Sequence, residues 1–307
     1  MKDKSELDTA EFPIPRLEIE EPKPLSSRVE VDLAALTDTG KVRERNEDHF
    51  YVARVGRRID TILTNIPSGD VPAHFDETGY VIIVADGMGG AQGGEVASRL
   101  AIATLVNIII HVPDWILRLD EEHAQEVMER AAGYYRRVNL ALLERARVEP
   151  RLRGMGTTMT ATYSIGDDLF VANVGDSRAY IFRDGRLQLL TRDQTQAQML
   201  ADVGAIGQSE VARHRLRHVL TNALGGAEKE LRVDVQRLKL ADGDRLLVCT
   251  DGLTDMISDE EIGDLVRDQS SERACHELVN RALARGGKDN VTVVVARYSI
   301  PDVEEDD

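Results

Sequence analysis

Apolar residues recur along this chain in short runs with a period near two, broken by glycine, proline and acidic turns, and in longer stretches with a period near 3.6. The first pattern predicts strands at Val29 to Leu36, His49 to Val55, Gly79 to Ala85, Thr157 to Ser164, Leu169 to Val174, Leu231 to Leu238, Arg245 to Cys249 and Val291 to Tyr298. Ala179 to Arg183 and Arg186 to Leu190 read as a hairpin joined by Asp184-Gly185, because a two-residue type I′ turn needs positive φ at both central residues. The second pattern predicts helices at Glu95 to Ile110, Glu121 to Arg147, Asp259 to Arg267 and Ser271 to Ala284. Residues 57–78, with Pro67, Gly69 and Pro72, read as a long connection between two strands. Two clusters of strands with two groups of helices predict an α+β fold in which sheets stack face to face and helices cover them outside.

Both ends depart from this pattern. Residues 1–28 carry charges of both signs, Pro13, Pro15, Pro22 and Pro24, and no apolar period, so they are expected to form a flexible acidic leader. After Pro301 the chain closes on five acids in six residues, expected to be a solvated tail. The folded body is thereby placed at 29–300 of the 307 residues. Thirty-eight Lys plus Arg against 54 Asp plus Glu give a formal charge of −16, which argues against nucleic acid or an anionic membrane as partner and suits cations. Leu100 to Ile110, interrupted by Asn107, is about half the ~20 residues of a membrane helix, and no signal peptide is visible. Cys249 and Cys275 are the only cysteines, which fits a reducing compartment, and the expected location is the cytoplasm.

Charge also gathers at particular places. Asp86, Asp176 and Asp251 each follow an apolar strand where it runs into a turn, Asp289 precedes one, and Glu47-Asp48 lead into another. Asp-Gly at a strand end is by itself ordinary turn chemistry. Five such acids tethered to buried strand ends are a different matter, because converging carboxylates need compensation. Hard oxygen ligands with no accompanying Cys or His set favour Mg²⁺ or Mn²⁺.

Eight segments surround these acids: Thr37-Asp-Thr-Gly-Lys-Val-Arg-Glu-Arg-Asn-Glu-Asp48, Val84-Ala-Asp-Gly-Met-Gly-Gly90, Gly154-Met-Gly-Thr-Thr158, Ala172-Asn-Val-Gly-Asp-Ser-Arg178, Leu190-Thr-Arg-Asp193, Ala223-Leu-Gly-Gly226, Cys249-Thr-Asp-Gly-Leu-Thr-Asp255 and Gly287-Lys-Asp-Asn-Val-Thr292. In order and content they resemble the metal-dependent (PPM, type 2C) Ser/Thr protein phosphatases of bacterial type. The resemblance implies a four-layer αββα sandwich with two central, mainly antiparallel sheets. It also implies hydrolysis of phosphoserine and phosphothreonine in proteins by a water activated between two divalent metals, Mn²⁺ or Mg²⁺. By position, Asp86 matches the bridging carboxylate and Gly87 a carbonyl ligand. Asp251 and Asp289 match the other ligands of the first metal, and Glu47 matches the ligand of the second. Asp48 matches a residue holding a metal-bound water, Asp176 with Asp255 and Asp251 a weaker third-metal site, and Arg43 the guanidinium that grips the substrate phosphate. The implied partners are phosphorylated proteins and a bacterial Ser/Thr kinase acting in opposition, with the phosphatase itself a monomer.

Met88 stands where many eukaryotic relatives have a proton-donating His, so another group must serve as general acid. Residues 193–222 match a flap beside the active site, and the run Arg213-His-Arg-Leu-Arg-His218 within it could recruit acidic phosphorylated segments or be a solvated face. A dinucleotide-binding reading of Gly79 to Ile110 fails on spacing, with Gln92 where the third glycine belongs. The rival of another class is a pseudophosphatase acting as a regulatory binding module. It would be expected to have lost metal carboxylates, and all of them are present.

Overall fold

The computed structural model describes residues 25–67, 70–111, 121–226 and 231–301. The expected leader, except its last four residues, and the expected tail from Asp302 lie outside the described residues. In the described part of the leader, Leu25–Ser27 make one 3₁₀ turn and Ser26 is buried.

In chain order the elements are β1 (Glu30–Asp38), β2 (Asp48–Asp60), β3 (His74–Met88), α1 (Gly90–His111), α2 (Glu121–Val148), β4 (Gly156–Thr157), β5 (Met159–Ile165), β6 (Asp168–Val174), β7 (Arg178–Arg183) and β8 (Arg186–Leu189). There follow α3 (Gln196–Asp202), β9 (Asp234–Lys239), β10 (Arg245–Cys249), α4 (Asp251–Thr254), α5 (Asp259–Val266), α6 (Ser271–Ala284) and β11 (Val291–Ser299). One sheet has the order β1-β11-β10-β7-β8 and the other β2-β3-β5-β6-β9, with β4 paired to the end of β3. All the pairings are antiparallel.

Side-chain alternation turns these sheets into four layers. Along β3, Val81, Ile83 and Ala85 join the apolar cluster under α1 and α2, whereas Ile82 and Val84 face the other sheet. Along β10, Leu246 and Val248 enter the inter-sheet cluster while Leu247 and Cys249 meet α5 and α6. β11 divides in the same way, with Val291, Val293 and Val295 outward and Val294, Ala296 and Tyr298 inward. Three apolar clusters therefore separate four layers, in the order α1/α2, sheet, sheet, α4–α6. The αββα sandwich is the arrangement present.

Local chemistry sets the element ends. Asp184 and Gly185 both have positive φ, 51° and 75°, as the type I′ hairpin between β7 and β8 requires. Ser258 and Ser270 cap α5 and α6 by accepting the backbone N–H of Glu261 and Arg273. Gly93–His111 of α1 is long and apolar enough by composition to cross a membrane. Here Ala97, Ala101, Ile102, Leu105 and Ile108 are buried in the cluster it shares with β3 and α2, as in a core helix.

Two expectations need correction. Residues 57–78 are not one long connection, since β2 runs on to Asp60 and β3 begins at His74, in register from Gly56↔Thr78 to Asp60↔His74. Arg57 holds this arm by pairing with Glu77 at 3.0 Å and lying 5.2 Å over the Phe75 ring. Its polar sequence carries none of the apolar alternation of a core strand. The strand expected at Leu231 to Leu238 is shifted, and pairing begins at Asp234 opposite Asn173.

Leu246 is fully buried between the sheets, whereas Leu140 on α2 is largely exposed. Leu246→Ala is expected to cost about 2–5 kcal/mol of unfolding free energy in urea titration. Leu140→Ala is expected to stay within about 0.5 kcal/mol.

Candidate metal centre

The acids singled out in the sequence meet where the strands of both sheets end. Asp48 opens β2 directly opposite Asp86 near the end of β3. Asp176 lies in the turn between β6 and β7, Asp251 begins α4 straight after β10, and Asp289 stands two residues before β11. Burial pushes the Asp86 carboxyl well up, and the charges of Asp48, Asp251, Asp176 and Asp289 push it further. Asp176 is raised by burial and then by Asp251 and Asp193. Burial raises Glu47 too, and Arg43 opposes that shift.

Asp48 ties the sheets together. It is buried, and its Oδ2 accepts hydrogen bonds of 2.8 Å from the hydroxyls of Thr250 and Thr292, at the ends of β10 and β11. Its Oδ1 is buried without a partner. Burial raises this carboxyl to about 7 in spite of the two hydroxyls. Asp251 also keeps a buried oxygen, Oδ1, with no partner. Orphaned carboxylate oxygens among mutually repelling neighbours are what a bound cation would satisfy, so the residues present fit divalent ions with oxygen ligands.

Close backbone approach completes the cradle. A Cβ on Gly87 would lie 2.1 Å from the Gly94 carbonyl oxygen, and one on Gly94 would lie 2.7 Å from Glu47 Oε2. The Gly87 N–H donates to the Glu47 carbonyl at 3.2 Å. These contacts bring the Gly87 segment, the start of α1 and Glu47 together. Asn290 fixes the loop that carries Arg43 and Glu47. Its Oδ1 accepts the Glu47 N–H at 2.8 Å, and its Nδ2 donates to the carbonyls of Thr39 and Arg45 at 2.9 and 2.8 Å. Arg43 Nη2 meets Asp289 Oδ2 at 2.6 Å, and the guanidinium is also drawn by the charges of Asp86 and Glu47.

The flap region, 193–222, holds α3 and a 3₁₀ turn, Gln208–Arg213. Thr195 caps α3 by accepting the Gln198 N–H. Its basic run is not a uniform outward face. Arg213 and Arg215 are exposed, but Arg217 Nε lies 3.6 Å from Asp255 Oδ1. His218 lies between two of the acids, with Nδ1 3.6 Å from Asp251 Oδ2 and Nε2 3.4 Å from Asp255 Oδ2. These neighbours, Asp251 first, hold its imidazole above the usual range. Sequence reasoning placed His218 in a basic patch and missed this position. No local signal marks it, since its partners are more than thirty residues further on.

The raised carboxyls make the protein without ions pH-sensitive. Asp48 binds a proton in the folded state up to about pH 7, but in the unfolded chain only to about pH 4. Its contribution to stability is therefore present below about pH 4 and lost as pH rises through about 7. Asp60, Asp202, Glu261 and Glu277 are lowered by their partners, so they lose stability only in more acid solution. In EDTA, the melting temperature should thus fall between about pH 5 and 7.5. Mn²⁺ should flatten that slope, and calorimetry near pH 6.5 should register proton release on Mn²⁺ uptake.

Comparison with known proteins agrees with the fold and the clustered acids. The family profile described as Protein phosphatase 2C matches residues 61–292. The serine/threonine protein phosphatase PstP of Mycobacterium tuberculosis is 36% identical over 86% of this chain and 44% of its own length, so this chain spans less than half of that relative. The serine/threonine phosphatase stp of Listeria welshimeri is 30% identical over 86% of this chain and 94% of its own. A crystal structure of the catalytic domain of PstP in complex with two manganese ions superposes with a TM-score of 0.69 at 34% identity, covering 88% of this chain and 99% of that one. Matched in sequence and in three dimensions, this chain belongs to the protein phosphatase 2C family.

Proposed function

We propose that this protein removes phosphate from phosphoserine and phosphothreonine side chains of other proteins, at a centre that holds two Mn²⁺ or Mg²⁺ ions and, more weakly, a third. The observation that carries this reading is the set of converging carboxylates with unpartnered buried oxygens on Asp48 and Asp251, beside the half-exposed guanidinium of Arg43. Divalent ions bound there would activate a water toward phosphorus and neutralise charge on the transferring oxygens.

The chain's own residues have separable tasks. Asp86, the Gly87 carbonyl, Glu47, Asp251 and Asp289 would hold the core pair, and Asp176 with Asp251 and Asp255 the third ion. Asp48 has one oxygen saturated by two threonines, which leaves Oδ1 to accept a proton from a nucleophilic water and fix its orientation. Arg43 offers a planar fork to the phosphate oxygens, and its bond to Asp289 keeps it at the mouth until substrate arrives. The Met88 thioether has no ionisable proton, so the leaving serine or threonine oxygen must take its proton from another group. The intact carboxylate set supports an enzyme over a regulatory pseudophosphatase. Bacterial relatives named as serine/threonine phosphatases support phosphoproteins as substrates, and by analogy a Ser/Thr kinase as the opposing activity.

Purified protein should release phosphate from phosphoserine and phosphothreonine peptides and from p-nitrophenyl phosphate in Mn²⁺, and should lose this activity with EDTA. Asp86→Asn and Asp251→Asn should abolish it, and persistent turnover in either would sink the reading. Arg43→Ala should lower kcat/KM about 10- to 100-fold, as loss of a charge-assisted hydrogen bond does. The number of tightly bound Mn²⁺ ions should not change in that variant.

A further inference from the structure

We propose that His218 is a ligand of the third ion, so that this ion joins the flap to the start of α4 and the site takes Mn²⁺ in preference to Mg²⁺. This rests on the reading of a third, weaker site given above.

Two of the required ligands are rigidly set. Asp251 and Asp255 stand four residues apart on one short helical stretch, Asp251 at its first position and Asp255 as its cap, so both carboxylates project from one side. His218 faces them from the flap. One ring nitrogen and one oxygen from each carboxylate lie within 4.8 Å of one another. Ligand atoms sharing an ion at bonds of roughly 2.0–2.2 Å stand about 3–4.4 Å apart, so side-chain rotation alone can bring these three onto one ion. The second oxygen of Asp251 is buried and has no partner. The Asp176 carboxyl feels Asp251 as its first charged neighbour and is itself buried, so it borders the same space.

The backbone of His218 is not free to wander. Immediately after it, the Val219 carbonyl accepts the Gln196 N–H at 2.7 Å, and Thr195 and Leu220 form a bridge. The Thr221 N–H and hydroxyl both reach the Gln194 carbonyl, at 2.8 and 2.9 Å. His218 is thus carried on the anchored end of the flap, next to the strand-like bridge that fixes it. An ion held by His218 and the α4 carboxylates would fasten this end directly to the centre. Arg217, 3.6 Å from Asp255, supplies a cation at the same place but cannot ligate a metal.

The donor set decides the ion. The core pair is expected to have oxygen ligands only, which Mg²⁺ and Mn²⁺ both accept, whereas an imidazole nitrogen favours Mn²⁺ and later transition metals over Mg²⁺.

The test is pulsed electron paramagnetic resonance on the full chain titrated with Mn²⁺, read together with equilibrium counts of bound ion. The expected result is two tight equivalents without nitrogen coupling and a weaker third that brings ¹⁴N coupling from imidazole. Added Mg²⁺ should displace this third ion least readily. His218→Asn should keep the two tight ions, lose the nitrogen coupling and weaken the third site at least about tenfold. Arg217→Gln should keep the coupling. A third ion bound without nitrogen coupling, or coupling that survives in His218→Asn, would overturn the role of His218 and leave the third site standing. Binding of two ions only would overturn both the role and the third site but not the phosphatase reading. Failure to bind even two would remove that reading as well.

Discussion

Like charges held together against their repulsion are the constraint on which the rest of this structure depends. Asp48, Asp86, Asp176, Asp251 and Asp289 come from both sheets and from the loops at their ends, and Asp86 feels the charge of the other four. Left to themselves, such groups would move apart or take up protons. They cannot move apart, because each sits within a few residues of a strand whose side chains are locked into an apolar layer, and the carboxyls of Asp48, Asp86 and Asp176 hold protons more readily instead. The three layers of buried Val, Ile, Leu and Ala supply the favourable free energy, and part of it offsets the repulsion among these carboxylates. A single sheet would not suffice. Asp48 and Asp86 belong to one sheet and Thr250, Thr292 and Asp251 to the ends of the other, and the hydroxyl bonds to Asp48 are where the two halves register.

Precision at this junction comes from the absence of side chains as much as from their presence. Gly87 and Gly94 approach so closely that no Cβ fits between them. Gly252 leaves only 1.9 Å between a notional Cβ and the Asn290 carbonyl oxygen, so the start of α4 presses directly on the strand after Asp289. The side-chain amide of Asn290 bonds to backbone, joining Thr39, Arg45 and Glu47. One carboxamide therefore sets the position of Glu47 and of the loop bearing Arg43 relative to Asp289. Thr157 and Thr158 act in the same way on Asp86, whose backbone carbonyl accepts the Thr157 hydroxyl and the Thr158 N–H at 2.8 and 2.9 Å.

What the sequence made legible follows from how far each signal reaches. Short, nearly continuous apolar runs report burial on both faces of β3, β10 and β11, so those strands and the layered fold could be read locally. The acids at strand ends were legible as a set because the turn chemistry beside them is local too. The arm of β2 and β3 was not, because it reaches beyond the core and is held by the Arg57–Glu77 pair and by backbone register, neither of which has an apolar period. His218 was hidden for a further reason. Its neighbours lie across a flap, two strands and a connection, and beside Arg213, Arg215 and Arg217 it looks like one more solvated cation. The inward turn of Arg217 and His218 is set by the bonds linking Gln194 and Gln196 to Val219 and Thr221, a long-range feature invisible in composition.

The electrostatics also order events at the centre. The chain carries a formal charge of −16, and the mouth of its site is lined by the carboxylates just described. A phosphate dianion approaching those acids alone would be repelled, since Arg43 is already half engaged by Asp289 and cannot offset several carboxylates. The residues that would bind cations are thus the same ones that would turn substrate away without them. Bound cations would offset those charges, so the Arg43 fork could pass from Asp289 to phosphate oxygens when substrate arrives. On this view Arg43 and Arg217 are the protein's internal cations at an acidic centre, and with His218 they hold the carboxylates together when ions are scarce.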